Sequence, residues 1–335
     1  MITLARRMAD GYRPTVGELA ALLDAPADVW AEIFALAAEV TKARKGDRVY
    51  VRGIIEFSSH CRRECQYCGL NRFHTDLPRY RMTIAEIAET AAAGWQAGYK
   101  TVVLQSGEDA WFTTERLCGM VRAVKSAAPG IVVTGSFGEL PDDAYAALRQ
   151  AGCDRYLLKH ETADPALYRT LHPESRLADR VHALRTLKSL GFETGGGFMI
   201  GLPGQTSETV ARDLLLLADI PCDMAGIGPF VPCPGTPLAD APPGLPERTR
   251  RAVALCRLLL PDANLPATTS LGVLDKQERD SVFDSGANVI MKKLTPPQYR
   301  AQYEIYPADD SPIQSIAAER QQINALLEGL GKCYD

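Results

Sequence analysis

Along residues 15–47, in VGELAALLDAP and VWAEIFALAAEV, apolar side chains recur every three to four positions. That period lines one face of a helix and predicts helices ahead of any strand. The pattern then changes. YVRGIIEFSSHC is a β-rich run that ends at a cysteine, and MTIAEIAETAAAGWQAGYK returns to helical spacing. The latter opens on Thr83 with Glu86 three residues on, the spacing of a capping box, and Gly98 supplies a C-terminal stop.

The alternation continues to the end of the chain. Apolar runs stand at TVVLQSG, IVVTGSFG, RYLLKHE, TGGGFMIGLPG, MAGIGPFVP, PATTSLG and ANVIMKK, with helical stretches at 114–128, 142–151, 175–190, 206–218 and 245–259. Strands that are apolar throughout, alternating with amphipathic helices, indicate a parallel sheet covered by helices. Counting VRGIIEFS there are eight strands, which predicts an α/β fold, a closed (β/α)8 TIM-type barrel. The short polar segment 272–285 is the least regular crossover. The division expected is an N-terminal helical extension over 1–48, the barrel over 49–310, and a C-terminal helix and tail over 311–335. Polar or glycine-rich residues end most strands, and barrel enzymes build their sites at that rim.

Composition narrows the class. The chain has 335 residues, 46% of them hydrophobic and 23% charged, with a formal net charge of −4. There is no basic excess to suggest nucleic acid. MITLARRMADGYRP lacks an apolar signal core, and no apolar run approaches the ~20 residues that span a bilayer. A soluble cytoplasmic protein is expected, with no membrane partner.

Nine cysteines in a long chain without a secretion signal do not read as a disulfide framework. Cys118, Cys153, Cys222, Cys233, Cys256 and Cys333 are scattered and read as small hydrophobes. Cys61, Cys65 and Cys68, spaced C-x3-C-x2-C in SSHCRRECQYCGLNR, have ligand spacing. Zinc would need His60 as a fourth ligand, beside its neighbour Cys61, and a second C-x2-C knuckle is absent. A [4Fe–4S] cluster held by three thiolates would keep one iron open for a substrate or cofactor. A zinc-stabilised, non-catalytic binding barrel and a cluster enzyme both stand at this point.

C-x3-C-x2-C with Tyr67 before the last cysteine resembles the signature of radical S-adenosylmethionine (SAM) enzymes. The resemblance runs on through VRGIIEFSSHCRRECQYCGLNR, VVLQSGED, DRYLLKHETADP, GFMIGLPGQT, GIGPFVPCPGTPLA, LLLPDANLPATTSLG and GANVIMKKLTPPQYRAQYEIYP. Together, from about residue 45 to 310, these look like the HydE family of [FeFe]-hydrogenase maturases. Methylornithine synthase, a radical SAM mutase, is the rival within the superfamily. Biotin synthase needs extra cysteine ligands that are not found here. Some HydE proteins carry a cysteine trio near the C-terminus for an auxiliary cluster. Residues 305–332 hold no cysteine, so no second cluster is expected, and the lone Cys333 should sit in a loosely held tail.

The resemblance implies two cofactors, a [4Fe–4S] cluster on Cys61, Cys65 and Cys68 and SAM on its open iron, and reductive cleavage of SAM to a 5′-deoxyadenosyl radical. It implies SAM contacts from Tyr67, Gln105, Ser106, Gly107, Glu161, Arg180, Met199 and Ile200. The bland alternatives are a turn at Ser106-Gly107, a solvated Arg180 and a core Met199. Thr134, Arg155, Thr268, Thr269, Met291, Tyr303 and Tyr306 would line a deeper substrate cavity. An arginine at a buried strand needs an anion, from substrate or from a structural ion pair. The implied substrate is a small or organometallic iron–cysteine compound, with the other hydrogenase maturases as candidate partners. Gly195-Gly196-Gly197 lacks the lysine and serine of a phosphate loop and reads as a strand approached closely by a ligand.

Overall fold

Strand β1 (Arg48–Ser58) sets the plan of the molecule. Val51, Ile55 and Phe57 are fully buried, and the Phe57 ring meets Phe112 and Phe137 edge-on at 4.7 and 5.6 Å. Arg52, Ile54 and Glu56 alternate with them and therefore face the other side of the sheet. The computed structural model describes residues 1–307 and 314–335. The boundary expected at 310/311 lies outside the described residues.

Three helices, α1 (Ile2–Ala9), α2 (Val16–Leu23) and α3 (Ala27–Lys45), precede β1. Then follow α4 (Ile84–Gln96), β2 (Thr101–Ser106), α5 (Thr114–Ala127), β3 (Val132–Ser136), α6 (Asp142–Gln150), β4 (Arg155–Leu157), α7 (Pro165–Leu171), α8 (Leu177–Ser189) and β5 (Glu193–Ile200). The second half adds α9 (Ser207–Asp219), β6 (Met224–Pro229), α10 (Pro246–Leu259), β7 (Pro266–Ala267), α11 (Thr269–Leu274), α12 (Lys276–Ser281), β8 (Val289–Lys293), α13 (Pro297–Arg300), α14 (Ile316–Gly329) and β9 (Cys333–Tyr334). Thr83 and Glu86 form the capping box that opens α4, and Gly98, at φ +96°, ends it.

The strands pair in parallel in the order β6-β5-β4-β3-β2-β1-β8-β7. Between β6 and β7, among the described residues, the seam is closed by a single bridge, Ala225 N–H to Asn264 O, 3.1 Å, and Asn264 N–H to Asp223 O, 2.8 Å. The result is a nearly closed (β/α)8 barrel. α2 lies on α9 and α3 on α10, so the N-terminal helices cover the outside of the barrel.

Four expectations are corrected. Helix α7 was not foreseen; its cue is Asp164, which caps Ala166 and Leu167, followed by Pro165 at the first turn. PATTSLG contributes only two strand residues, because Thr269–Leu274 turns into α11; the crossover that follows is built of short helices. RYLLKHE pairs regularly over three residues only, after which Glu161 bridges Phe198. The tail is not loose. β9 pairs in parallel with Arg48 and Val49, Cys333 N–H reaches Asp47 O at 3.0 Å, and Asp335 Oδ1 accepts from Val51 N–H at 2.8 Å.

Barrels of this type ordinarily fill their interior with branched aliphatic side chains. Here the register brings Arg52, Thr101, Arg155, Glu193, Met224 and Met291 to inward positions near the strand N-termini. Glu56, Gln105 and Lys293 stand nearer the opposite end. Gly195, Gly197, Gly226 and Gly228 leave the β5–β6 wall without side chains. The lumen is charged on one side and bare on the other, a shape suited to a polar ligand and not to a dry core.

Candidate active site

The loop after β1, residues 58–81, carries the three cysteines. One residue holds it in shape: the Arg79 guanidinium donates to the carbonyls of Ser59, Leu70, Asn71 and His74 at 2.5–3.0 Å. Gln66 N–H ties the loop to Leu171 O at the end of α7, 3.0 Å away. From below, Gly107 packs so closely that a β-carbon there would lie 2.4 Å from His60 O and 2.7 Å from Cys61 Cβ. The QSG segment is therefore not a turn: Gln105 and Ser106 end β2, and Gly107 forms the floor of the cysteine loop.

The thiols sit among donors. Cys61 Sγ accepts from Glu108 N–H at 3.3 Å and Arg63 N–H at 3.5 Å, and Cys65 Sγ lies 3.3 Å from His172 Nδ1. Burial pushes the Cys65 thiol up to about 12, with Cys61 adding repulsion. Burial likewise raises Cys61, and it raises Cys68 with help from the other two sulfurs. Three mutually repelling thiolates need a cationic centre to stay deprotonated together. Yet among the described residues no group of three or more His, Cys, Asp or Glu side chains converges closely enough for a single ion. Three thiols on one loop, two of them with hydrogen-bond partners at sulfur, suit a cluster that keeps one iron open.

Around the loop runs an acid–arginine network. Arg63 pairs with Glu108 at 2.6 Å and Glu139 at 2.9 Å, and Glu139 bridges on to Arg180 Nε at 2.5 Å. Arg180 is buried, not solvated, and its Nη1 donates to Lys159 O at 3.1 Å. Burial opposes its charge, but Tyr168, Glu139 and Glu108 more than offset this and hold it cationic. Glu161, paired with Lys159 at 2.9 Å, has φ +64°, a left-handed conformation that a glutamate rarely adopts. Strain of this kind gathers where a ligand is gripped. Met199 packs with Leu171, Leu202 and Phe230, and Tyr67 joins this small cluster at the rim, apart from the main core that takes Ile200.

Deeper in the lumen, Gln105 Nε2 donates to Tyr303 Oη at 3.2 Å, and Thr268 Oγ1 meets Ser270 Oγ at 3.2 Å. Tyr306 is hydrogen-bonded to Thr269. Thr134 Oγ1 is buried without a partner. Arg155 is not an unpaired fork awaiting an anion; its Nε is held by Glu193 at 2.6 Å and its Nη1 by Thr101 at 3.3 Å. The triple glycine lies within strand β5, as expected. What approaches Gly197 is the Gly226 carbonyl of the neighbouring strand, 2.2 Å from where a β-carbon would stand.

Sequence reasoning missed several charged residues of the site. Glu56 is buried against Lys293, 3.1 Å away, and Thr295; burial raises its carboxyl, while the Lys293 charge pulls the other way. Arg52, Arg63 and Arg79 were also passed over, as was His172, which burial keeps neutral. The signal for Arg52 and Glu56 was present, since both stand on one face of the otherwise aliphatic VRGIIEFS.

The family model of the Radical SAM superfamily matches residues 55–217. The chain is 46% identical over 300 residues to the [FeFe] hydrogenase maturase subunit HydE of Thermotoga maritima, covering 90% of this chain and 86% of that protein. It belongs to the HydE family of radical SAM proteins. The 3-methylornithine synthase of Methanosarcina barkeri is 28% identical over 297 residues, 88% of this chain and 83% of that protein. The crystal structure of methylornithine synthase (PylB) superposes with a TM-score of 0.87 at 26% identity, covering 99% of this chain and 97% of that one. As a member of the HydE family the chain is a radical SAM enzyme whose cofactors are a [4Fe–4S] cluster and SAM. A non-catalytic zinc barrel is thereby set aside. No helix among the described residues is long and apolar enough to cross a membrane.

Proposed function

We propose that the enzyme acts in maturation of the [FeFe]-hydrogenase active site, on the path to its diiron subcluster, with a small iron–cysteine compound as substrate. The observation that carries this reading is the 46% identity to a HydE maturase across nearly the whole chain, against 28% for methylornithine synthase. The charged lumen supports it, because a polar, anionic iron complex needs cations and hydrogen-bond donors around it. On this reading the enzyme works in the cytoplasm, and the other maturases are its candidate partners.

When bound, the cluster and SAM supply a 5′-deoxyadenosyl radical by one-electron cleavage of the sulfonium. The chain's own residues bind, orient and exclude water. Cys61, Cys65 and Cys68 hold the cluster. Arg180, fixed by Glu139, presents its remaining edge to the methionyl carboxylate, for which a planar fork is well matched. Gln105, Ser106 and Gly107 receive the methionyl amine, Glu161 grips the ribose or ammonium, and Tyr67, Met199 and Ile200 cover the adenine. Thr134, Thr268, Thr269, Met291, Tyr303 and Tyr306 line the substrate. Arg155, already neutralised by Glu193, sets the charge of the cavity end and meets substrate only by sharing that pair.

The test is complementation of a strain lacking this maturase, scored by hydrogenase activity. Restored activity supports the reading. If activity stays absent while the purified enzyme converts lysine to methylornithine in the presence of SAM and reductant, the mutase rival wins.

A further inference from the structure

Behind the middle cysteine lies a buried histidine. His172 caps the C-terminal end of α7, where its backbone N–H donates to Tyr168 O at 2.8 Å. Only 4% of it is exposed. The ring stacks on Tyr168, with centroids 4.6 Å apart, and Tyr67 meets it edge-on at 5.5 Å. Its two nitrogens face different partners: Nδ1 is 3.3 Å from Cys65 Sγ, and Nε2 is 3.5 Å from Tyr67 Oη. The bond from Gln66 N–H to Leu171 O fixes the two segments against each other, so the ring has little freedom to turn away.

The pairing selects a tautomer. A neutral imidazole has one N–H and one lone pair. With the Tyr67 hydroxyl donating to Nε2, the proton stays on Nδ1 and points at sulfur. The other tautomer would set a nitrogen lone pair against a thiolate. The three ligands are not equivalent in this respect. Cys61 takes its hydrogen bonds from the backbone of Arg63 and Glu108, which side-chain changes other than to proline leave in place, whereas the donor at Cys65 is a side chain.

We propose that His172 Nδ1–H donates a hydrogen bond to the Cys65 thiolate and so raises the reduction potential of the cluster that this thiolate ligates. The inference rests on the reading that Cys61, Cys65 and Cys68 hold that cluster. Hydrogen bonds to the sulfurs are among the factors that set iron–sulfur potentials, and donors behind the ligands tune a metal centre. The added electron of the reduced state increases the negative charge on sulfur. A donor aimed at that sulfur stabilises the reduced form more than the oxidised one. His172 is a positioning residue, since it acts on the cluster through Cys65. It brings reduction within reach of a donor at the cost of some driving force for SAM cleavage.

EPR-monitored potentiometric titration of the native, His172→Phe and His172→Gln holoproteins tests this, once iron content and the cluster signal have been measured in each. His172→Phe keeps the bulk and removes the donor. Its midpoint should move to more negative potential by about a tenfold change in the reduction equilibrium, about 59 mV for one electron. His172→Gln, whose amide N–H can reach sulfur, should recover most of the shift. A native midpoint in His172→Phe with a full cluster overturns the proposal. Should that variant lose its cluster, pulsed EPR on the reduced native protein, grown with nitrogen-15 histidine, decides instead. A histidine nitrogen coupling that vanishes in His172→Gln supports the bond, and its absence from the native spectrum overturns it. A native protein that binds no cluster refutes the functional reading; an intact cluster with an unmoved potential refutes only this inference.

Discussion

The two ends of the lumen are both built around arginine, but their charges are balanced differently. At the rim, Arg63 and Arg180 share Glu139, and Arg63 also meets Glu108, so the loops after β1, β2 and β3 and helix α8 are joined in one continuous lattice. At the floor, Arg155 pairs with Glu193, whose side chain is 47% exposed, and Arg52 is left with a buried Nε that has no partner. Burial and the neighbouring Arg155 push the Arg52 guanidinium down to about 10. Groups linked in a satisfied network are held in one geometry, whereas a buried, incompletely paired cation remains costly until an anion arrives. The rim is thus preorganised by the protein, and the floor is completed by what binds.

The contrast predicts large effects at the rim. Cys61→Ala, Cys65→Ala or Cys68→Ala should each abolish SAM cleavage and lose most of the iron, because two thiolates do not hold four irons firmly. Iron analysis and deoxyadenosine release check this; full activity in any one variant would remove that cysteine from the ligand set. Gly107→Ala comes next. Its methyl must displace His60 O and Cys61 Cβ, and overpacking of this kind costs about 1–3 kcal/mol. Cluster occupancy should fall while far-ultraviolet circular dichroism stays native.

A pair of charge-conserving substitutions then sharpens the comparison. Arg180→Lys replaces a planar fork by a point charge and breaks the bridge to Glu139. SAM binding should weaken by about ten- to a hundredfold, the equivalent of about 1.5–3 kcal/mol, with the cluster spectrum unchanged. Arg155→Lys should leave SAM binding alone and lower turnover on the true substrate, so that deoxyadenosine release becomes uncoupled. If the two variants exchanged phenotypes in a SAM binding assay, the assignment of rim to cofactor and floor to substrate would be inverted.

How much of this the sequence disclosed follows from the range of each signal. The barrel order was legible because apolar runs and helical periods are local, and the cysteine trio because its spacing is. α7 and α11 were not, since each is a short helix inside a segment that reads as strand or loop. The acid–arginine network joins residues 63, 108, 139 and 180, and no local pattern ties them together. Arg155 shows the same limit from the other side. Its need for an anion was readable from its strand, but that Glu193 meets the need depends on the β4–β5 register. Arg79, with four carbonyls converging on it, looks in sequence like any loop arginine.

The smallest effect is expected beneath the floor. β9 adds to the N-terminal end of β1, and Asp335 satisfies the Val51 amide. Deleting residues 332–335 removes that acceptor and the Cys333–Asp47 backbone bond, both far from the cysteine loop in the barrel. Each lost bond of this type costs about 1 kcal/mol, and in a chain of this size a loss of about 1–3 kcal/mol lowers the melting temperature by only a few degrees. Iron content and SAM affinity should not move, because the rim lattice does not include the tail. Calorimetry beside iron analysis reads both quantities on one sample. A truncated protein that melted normally but lost iron would mean that the two ends of the barrel are coupled through β1, and the division between a preorganised rim and a ligand-completed floor would then have to be abandoned.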